Sequence, residues 1–332
     1  MSYDTPEAVL RLARQFMESR ILLTAAELDL FTPLAETAQT AEGLSGMLHC
    51  DLRALTVLLD ALAAMGLLEK QDGAYRTPPA AAPFLSGGSP RSVIPMVLHA
   101  AHLWESWSGL TPAVRATGPQ EALASDAGGR FDELSAFIGA MHVVGLPLAE
   151  KIVAAIGPEA AESLLDVGGA SGTYTIAFLG AAPGMTATLF DRPEVIPMAR
   201  RRLADAGLLG RVRLAAGNFY RDELPAGHDL ALLSAIIHQG SPQDNRELFR
   251  KVFRALVPGG RVVIRDHIMD PDRTQPRNGA VFAVNMLVNT KGGSTYTFEE
   301  VRDWLEAAGF TGVRLLQKGH RMDGLVEALK PR

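Results

Sequence analysis

Cysteine, aromatic residues and long apolar runs are all scarce in this sequence of 332 residues. Its single cysteine, Cys50, cannot form a disulfide within the chain, which argues against a small disulfide-stabilised secreted scaffold. No apolar run approaches the roughly 20 residues of a membrane-spanning helix, and the first residues, MSYDTPEAVL, lack the basic and apolar regions of a signal peptide. Hydrophobic residues still make up 47% of the chain, enough for a sizeable core. We therefore expect a globular cytoplasmic protein without a membrane partner.

The sequence also has no excess of basic over acidic residues. The formal net charge is −5; residues 1–160 hold 10 Lys and Arg against 18 Asp and Glu, whereas residues 161–332 hold 22 against 19. An acidic first half is a poor electrostatic match for nucleic acid, because phosphates are bound by Lys and Arg. We expect no nucleic-acid partner.

The N-terminal region has the pattern of a small helical domain with a hairpin. An amphipathic helix is predicted from the cap Asp51 to Gly66, with leucines at helical spacing between them. Residues 67–77 (LLEKQDGAYRT) then predict two short strands around an Asp-Gly turn. Helices followed by a hairpin are the winged-helix pattern, but residues 1–90 hold 6 basic and 11 acidic side chains. We predict a winged-helix-like dimerisation domain over residues 1–92; a ligand-responsive DNA-binding regulator is the alternative.

Further helices are predicted on both sides of this hairpin. Apolar residues recur at helical spacing over residues 9–17, and two later helices are predicted around Trp104 and over residues 137–156. The Pro- and Gly-rich residues 78–91 predict a loop or hinge. Residues 93–157 would then form a helical linker region between two domains.

From residue 158 onward the pattern changes to short apolar strands separated by helical segments. The strands are predicted at Ser163–Val167, Thr186–Phe190, Val212–Ala215, Leu230–Ser234 and Arg261–Arg265. This alternation predicts βαβ units and a mostly parallel sheet. After a helix over residues 297–308, two runs at Val313–Gln317 and Leu325–Leu329 lack a helix between them, which predicts an antiparallel final pair. Residues 158–332 are therefore predicted to form an α/β domain that binds ligand at the carboxyl ends of its strands.

A glycine-rich turn follows the first predicted strand. The sequence DVGGASG runs from Asp166 to Gly172, and its glycines would let the backbone approach a ligand without interference from a Cβ atom. The dinucleotide fingerprint requires glycine at its first, third and sixth positions. Counted from Gly168, the later positions hold Ala170 and Thr173, which argues against a nicotinamide-dependent oxidoreductase. The turn predicts either a cofactor-binding site or a purely structural turn.

Polar residues at the next two strand ends extend this candidate site. Asp191 lies 19 residues beyond Gly172 and is placed to accept hydrogen bonds from ribose hydroxyls, although it could also cap the helix that follows. Asn218 and Phe219 follow the third strand and can supply an amide and a stacking face for an adenine. Together they indicate a ligand that contains a ribose and an adenine.

His238 is the candidate general base. It follows an apolar strand and so lies at the carboxyl edge of the predicted sheet, where a substrate would bind. An ordinary imidazole, with a pKa of about 6.5, is suited to remove a phenolic proton at neutral pH; a structural histidine bonded to the backbone is the alternative. His99 and His102 are three residues apart but lack a third candidate ligand, so no metal site is predicted.

The order of these motifs resembles a known enzyme family. The segments DVGGASG, FDRPEVI, GNFYRDELP, LLSAIIHQ and LVPGGRVVIRDHI, with FIGAM at residues 137–141, resemble the class I S-adenosylmethionine-dependent methyltransferases. They are most similar to the two-domain small-molecule O-methyltransferases, which include caffeic acid and acetylserotonin methyltransferases, over nearly the whole chain. The resemblance implies a Rossmann-like domain, S-adenosylmethionine as cofactor, and a homodimer held largely by the N-terminal helices. The implied reaction is methyl transfer to a hydroxyl of a small aromatic acceptor.

The resemblance also assigns cofactor contacts. Gly168, Gly169 and Gly172 match the family's cofactor loop, and Asp191 matches the acidic residue that binds the ribose.

Three further cofactor positions depart from the family pattern. Asn218 stands where an aspartate usually lies near the adenine, and Phe219 replaces another apolar residue that packs on it. Ser234 stands where many members have a lysine, so one cofactor contact is weakened or different.

The catalytic pair implied by the resemblance is His238, the general base, with Asp266 as the acidic residue that orients it. Gln239 replaces the usual aspartate after the base, and Thr295 replaces a second acidic residue near it. Methyl transfer to carbon, nitrogen or sulfur therefore stays open as an alternative. Candidate acceptor-lining side chains, whose spacing is equally that of an ordinary core, are Trp104, Phe137, Met141, His142, Phe282, Met286 and Asn289.

Overall fold

The structure, a computed structural model, describes residues 3–115 and 133–332. Its described residues form two compact units, each with an apolar core. The unit that we call the helical unit comprises residues 3–104 and 133–143, and the sheet unit comprises residues 105–115 and 144–332. The predicted domain boundaries near residues 92 and 157 stay predictions.

The first part of the chain is helical, with one small sheet. Its elements are α1 (Pro6–Glu27), α2 (Phe31–Glu36), β1 (Gln39–Thr40), α3 (Ala41–Leu48), α4 (Leu52–Ala64), β2 (Glu69–Gln71), β3 (Ala74–Arg76), α5 (Ala82–Leu85), α6 (Ile94–Ser108), α7 (Leu110–Arg115) and α8 (Glu133–Ile156). The sheet has the order β1-β3-β2 and is antiparallel throughout. The predicted hairpin is confirmed, and its turn residues Asp72 and Gly73 have positive φ of 49° and 80°. The predicted cap Asp51 accepts a hydrogen bond from the Ala54 amide at 2.8 Å.

Two details of the helical unit differ from the sequence predictions. Residues 78–91 are not only a loop, because they contain α5, whose first turn holds a proline and whose Leu85 is buried. Proline suits the first turn of a helix, where its missing N–H needs no partner. Leu52, predicted on the buried stripe of α4, is 40% exposed because it is the first residue of the helix, outside the turns that pack on the core.

Helix α8 corrects the expectation about apolar runs. Leu134–Ile156 is long and apolar enough to cross a membrane by length and composition, with a mean hydropathy of 1.5. Its last turns pack in the core of the sheet unit, where Ile152, Val153 and Ile156 are buried. Because a buried core helix passes the same test of length and composition, this segment is weak evidence for a membrane span.

The sheet unit is built on a seven-stranded sheet. Its further elements are β4 (Ser163–Val167), α9 (Thr173–Ala181), β5 (Thr186–Asp191), α10 (Ile196–Asp205), β6 (Val212–Ala216), β7 (His228–Ser234), α11 (Pro242–Ala255), β8 (Leu256–Asp266), β9 (Ile268–Met269), α12 (Arg277–Asn289), β10 (Tyr296–Thr297), α13 (Phe298–Ala307), β11 (Thr311–Gln317) and β12 (Gly324–Leu329). The order is β11-β12-β8-β7-β4-β5-β6, with β4 to β8 parallel to one another. Strand β12 pairs antiparallel with both β8 and β11, which confirms the predicted final pair.

The strand order opens a crevice beside β4. The chain adds β5 and β6 on one side of β4 and then crosses over to add β7 and β8 on the other side. In open α/β sheets, ligands bind at the carboxyl ends of the strands where the order reverses in this way. The residues that follow β4, β5, β6 and β7 therefore surround the expected binding position.

Two apolar cores cover the two faces of the sheet. Helices α8, α9 and α10 pack on what we call the α9 face, and α11 and α13 pack on the opposite α11 face. Because successive side chains of a strand point to opposite faces, Val263 of β8 lies on the α9 face and Ile264 on the α11 face.

Candidate active site

The glycine-rich turn after β4 is held in a left-handed backbone conformation. Gly168 and Gly172 have φ of 70° and 83°, and Ala170 between them has φ of 48°. Glycine adopts these angles without the steric cost that a Cβ atom imposes. The Gly168 amide donates to the Phe190 carbonyl at 2.8 Å, and α9 begins at Thr173. The turn is thereby fixed between the ends of β4 and β5.

The missing Cβ atoms of this turn make room for the protein's own side chains. A Cβ atom on Gly168 would overlap the Ile236 side chain, and one on Gly169 would lie 2.7 Å from Leu189 Cγ. Gly168 and Gly169 are thus required for the protein's own packing, and the expectation that the glycines also let a ligand approach stays a prediction. They let the turn pack tightly against the sheet, which fixes where its amide groups lie.

Asp191 ties the end of β5 to the glycine-rich turn. Its carboxylate accepts from the Ala170 amide at 2.8 Å and from the Arg192 amide at 2.7 Å. Burial raises the pKa of Asp191, and these two amides partly offset the rise. Asp191 does not cap the following helix, because the cap position of α10 is Val195. A carboxylate has about four acceptor positions, so two remain for ribose hydroxyls.

Asn218 and Phe219 lie in the loop after β6. Asn218 Oδ1 accepts from the Tyr220 amide at 2.9 Å, which fixes the side chain and leaves its NH2 group for a ligand. The ring of Phe219 is next to the glycine-rich turn, 3.5 Å from where a Cβ atom of Gly168 would lie. The Lys251 ammonium donates to the Phe219 carbonyl at 3.0 Å. The apolar face of Phe219 thus borders the turn, and the Asn218 side chain lies in the same loop.

Ser234 ends β7 and accepts a hydrogen bond from Arg265 Nη1 at 3.1 Å. The two residues are register partners on β7 and β8. Sequence reasoning did not single out Arg265, which is 3% exposed. The available signal was a cation directly after the apolar run Val262–Ile264, whose residues are all buried.

His238 and Asp266 form a buried pair at the carboxyl edge of the sheet. His238 lies in a short 3-10 turn after β7, and Asp266 ends β8. His238 Nδ1 is 2.9 Å from both carboxylate oxygens, and the two residues are 5% and 1% exposed. The His267 amide also donates to Asp266 Oδ1 at 2.8 Å. Burial alone would raise the pKa of Asp266, but the charge and hydrogen bond of His238 and the His267 amide hold it below its usual value.

This contact decides which imidazole nitrogen is available. An ionised carboxylate only accepts hydrogen bonds, so His238 Nδ1 carries a proton and Nε2 is the nitrogen that can accept one. The edge-on ring of Phe282 lies 4.9 Å from the imidazole at an interplanar angle of 87°. The arrangement can therefore take a proton from a group bound beside an aromatic surface.

Gln239 and Thr295, which replace acidic residues of the family pattern, both form hydrogen bonds with residues other than His238. The side-chain amide of Gln239 donates from Nε2 to the Ala235 carbonyl at 3.2 Å. Thr295 is buried, and its carbonyl accepts from Arg273 Nη1 at 3.0 Å.

His267 is a second histidine at this edge that sequence reasoning missed. Its Nδ1 accepts from the Met322 amide at 3.2 Å, which places the proton of the neutral ring on Nε2. Burial lowers the pKa of His267. Its ring centroid is 5.2 Å from that of Phe282, so Phe282 contacts both His238 and His267.

The predicted acceptor-lining residues are divided between the two units. In the sheet unit, Phe282 contacts the base and Met286 is buried, whereas Asn289 is exposed and its amide donates to Asn285 Oδ1 at 3.0 Å. Asn285 Oδ1 also accepts from Trp107 Nε1 at 2.9 Å, so Asn285 is a polar group that sequence reasoning missed.

The other predicted lining residues lie in the helical unit. Trp104 is 6.5 Å from the Phe16 ring, Phe137 is 5.2 Å from the His99 ring, and Met141 and His142 are half-buried on α8. Their role in acceptor binding stays a prediction. Within residues 3–115 and 133–332, no cluster of three or more His, Cys, Asp or Glu side chains could hold a metal ion.

The edge of β4, β5 and β6 fits an adenosine-containing cofactor. Asp191 has free acceptor positions for a ribose, and Phe219 offers an apolar face for a base. Ser171 Oγ in the turn and Tyr174 OH just after it are buried, and within residues 3–115 and 133–332 neither has a hydrogen-bond partner. Unpartnered buried hydroxyls cost free energy, so they point to a polar ligand at this position.

The chain is similar in sequence to known proteins over almost its whole length. Residues 132–311 match the O-methyltransferase domain, and residues 10–87 match the O-methyltransferase dimerisation domain. The chain is 33% identical to 3-hydroxy-5-methyl-1-naphthoate 3-O-methyltransferase of Streptomyces sahachiroi, over 94% of this chain and 91% of that protein. It is 34% identical to tetracenomycin polyketide synthesis 8-O-methyl transferase TcmO of Streptomyces glaucescens, over 93% of this chain and 92% of that protein.

A solved structure shares the fold. PigF with SAH is 26% identical to this chain, covers 98% of it and 100% of its own length, and superposes with a TM-score of 0.88.

Proposed function

This chain belongs to the O-methyltransferase family and is an enzyme that uses S-adenosylmethionine, and we propose that it methylates a hydroxyl of a small aromatic metabolite with His238 as general base. The observation that carries the proposal is the buried pair of His238 and Asp266 beside the ring of Phe282. The relatives named for a naphthoate and a tetracenomycin support an aromatic acceptor from secondary metabolism.

Cofactor binding is proposed at the edge formed by β4 to β7. The backbone of Gly168, Gly169 and Gly172 would lie against the cofactor, with Asp191 on its ribose. Asn218 and Phe219 would hold its adenine, and Ser234 would lie near its amino-acid portion. When bound there, S-adenosylmethionine supplies an electrophilic methyl group.

His238 makes the acceptor oxygen nucleophilic. A phenol has a pKa of about 10 and is mostly protonated at neutral pH, so its proton must leave as the oxygen reacts. His238 Nε2 accepts that proton, and the resulting imidazolium is stabilised by Asp266, whose low pKa keeps it ionised. The proton then passes to water and restores the neutral base.

Acceptor binding is proposed to use the aromatic surface around the base. Phe282 and Met286 would contact a planar ring, and Asn289 would lie at the edge of the site. Trp104, Phe137, Met141 and His142, which lie in the helical unit, stay predicted as acceptor-lining residues.

We also propose a homodimer in the cytoplasm. The match of residues 10–87 to a dimerisation domain supports association of two copies, and the single cysteine, Cys50, is consistent with a reducing compartment.

The proposed function is tested by a methyl-transfer screen. The purified chain is incubated with S-adenosylmethionine carrying a labelled methyl group and a panel of phenols, naphthols, indoles, amines and thiols, and products are located by mass spectrometry. We expect label on a phenolic or naphtholic oxygen. Product only from amines, thiols or carbon acceptors would overturn the hydroxyl proposal in favour of nitrogen, sulfur or carbon transfer, an alternative that Gln239 and Thr295 keep open.

A further inference from the structure

Arg265 carries hydrogen-bond donors that the protein does not use. The residue is 3% exposed, and its Nε and Nη2 atoms are buried without any hydrogen-bond partner among the described residues. Only Nη1 is engaged, with Ser234 Oγ. In the part of the chain that the structure describes, no carboxylate lies within ion-pair distance of Arg265. A buried cation without a partner is strongly unfavourable, so an anion is expected to complete the site.

The position of Arg265 separates it from the proposed base. Arg265 lies on the α9 face, since its guanidinium carbon is 5.0 Å from the centroid of the Tyr174 ring on α9. The next residue of β8, Asp266, binds His238 instead, as the alternation of a strand requires. Tyr174 lies in the first turn of α9, directly after the glycine-rich turn. Arg265 is therefore on the cofactor side of the sheet edge.

The two unused nitrogens have the geometry for a carboxylate. Nε–H and Nη2–H point from the same side of the planar guanidinium and form a fork that matches the two oxygens of a carboxylate. Two other buried groups, Tyr174 OH on the ring that packs on the guanidinium and Ser171 Oγ three residues before it in the chain, also lack partners among the described residues. A ligand with a carboxylate and further polar atoms would satisfy all three side chains.

We propose that Arg265 binds the carboxylate of the methionyl portion of S-adenosylmethionine, with Ser234 and Tyr174 holding the guanidinium in place. The inference rests on the proposed function through its cofactor site, in which Asp191 binds the ribose. Strand β8 is three strands from β5, about 14 Å at the usual spacing. Asp191 is bonded to the turn after β4 and Arg265 is bonded to Ser234 of β7, so both side chains point into this interval. The amino-acid end of the cofactor would therefore extend from β5 toward β8.

Two ligands that differ in this carboxylate test the proposal. S-Adenosylhomocysteine carries the amino-acid portion, whereas 5′-methylthioadenosine keeps the adenosine and the sulfur but lacks it. Calorimetry with both ligands is done on the wild type, Arg265→Met and Arg265→Lys. We expect Arg265→Met to weaken S-adenosylhomocysteine by about 30-fold or more and 5′-methylthioadenosine by less than about threefold. Arg265→Lys retains the charge but not the fork, and should lose about tenfold for S-adenosylhomocysteine alone.

Arg261 provides a matched control on the same strand. Its guanidinium is satisfied by Glu327 and by the Ile156 and Gly157 carbonyls. Arg261→Met should therefore leave the ratio of the two affinities unchanged, even if it lowers stability. If Arg265→Met does not fold, Arg265→Lys decides by the same ratio.

Three outcomes would overturn the proposal, and each has a different meaning. Equal weakening of both ligands in the Arg265 variants would mean a structural role and would overturn the proposal. Unchanged S-adenosylhomocysteine affinity with a raised KM for a carboxylated acceptor would also overturn it, and would assign Arg265 to the acceptor. A wild-type chain that binds neither ligand would overturn the proposed cofactor site itself, and the role of Arg265 with it.

Discussion

At the scale of single residues, the proposed chemistry depends on one nitrogen atom. His238 Nδ1 is occupied by Asp266, so deprotonation of the acceptor depends on Nε2. We expect His238→Ala to lower turnover by ~10²–10⁴, the scale of general-base catalysis, with little change in S-adenosylhomocysteine affinity. Asp266→Asn should cost less, because it disturbs the orientation of the imidazole without removing it. Single-turnover kinetics and calorimetry measure the two effects.

A buried histidine at the other end of β7 is the control for this prediction. His228 Nδ1 is 2.6 Å from Ser163 Oγ, away from the carboxyl edge. His228→Ala should leave turnover near the wild-type value. A loss below tenfold in His238→Ala, with a confirmed substrate, would show that the acceptor needs no base, as for a thiolate or an amine.

Asp166 gives a pH dependence of stability that can be separated from catalysis. It is buried under the glycine-rich turn, where it accepts from Thr175 Oγ1 at 2.6 Å, and burial raises its pKa from 3.8 to about 6. The folded protein thus holds this proton more tightly than the unfolded chain does. Its contribution to the free energy of unfolding is therefore fully present below the unfolded pKa and is lost as the pH rises through about 6.

Asp166→Asn removes this titration. Relative to the wild type, the free energy of unfolding of the variant should rise by ~2 kcal/mol between about pH 4 and pH 7. Urea unfolding of the two ligand-free proteins at a series of pH values gives the free energy of unfolding of each. Only the change with pH is compared, so any constant effect of the Asn side chain on stability does not matter. Parallel pH profiles for the two proteins would contradict the prediction.

At the scale of elements, Asp191 joins β5 to the glycine-rich turn through the Ala170 amide. Asp191→Ala removes both this tie and the proposed ribose contacts, so it should weaken cofactor binding by ~1–3 kcal/mol. The loss should be equal for S-adenosylhomocysteine and 5′-methylthioadenosine, because both contain the ribose. Calorimetry with both ligands gives the measurement, and a wild-type affinity in the variant would remove Asp191 from the cofactor site. Asp191→Asn, which keeps an acceptor oxygen, should lose less.

Sequence periodicity predicted the strands of the sheet because each is a short buried apolar run, and most boundaries agree within two residues, but one differs by five. Strand β8 begins at Leu256 rather than Arg261. The intervening Pro258-Gly259-Gly260 is typical of a turn, yet here it lies within a strand whose register with β7 shifts between His228 and Leu230. Such a register shift is determined by pairing with the neighbouring strand, so the local composition of the segment does not predict it.

The candidate site was predictable to the extent that its residues follow strand ends. Asp191, His238 and Asp266 were placed at the carboxyl edge by the order of motifs. Arg265 and Asn285 were not, because their importance comes from which hydrogen bonds the fold leaves unmade or completes across distant elements. That information is tertiary and has no signature in local sequence.

At the scale of the whole molecule, the exposed apolar side of α1 bears on the proposed homodimer. The apolar period over residues 9–17 is helical as predicted, but Val9, Leu12, Phe16 and Met17 are each between 47% and 52% exposed in a single chain. These positions overlap the match to the dimerisation domain over residues 10–87. A cluster of exposed apolar side chains on one helix is typical of an interface with a partner protein.

Charges on this side of α1 should weaken the dimer. We expect Val9→Glu with Leu12→Glu to raise the dimer dissociation constant by at least about tenfold, since burial of each aliphatic side chain contributes roughly 1.5–3 kcal/mol. Light scattering over a concentration series measures the constant, and calorimetry with S-adenosylhomocysteine confirms that the sheet unit is still folded. Val114→Glu, at a 68% exposed position of α7, is the matched control and should leave the dimer intact. A wild type that is monomeric at micromolar concentration would contradict the homodimer. Binding to duplex DNA that weakens as salt is raised would show contacts to phosphates, and would favour the DNA-binding regulator instead.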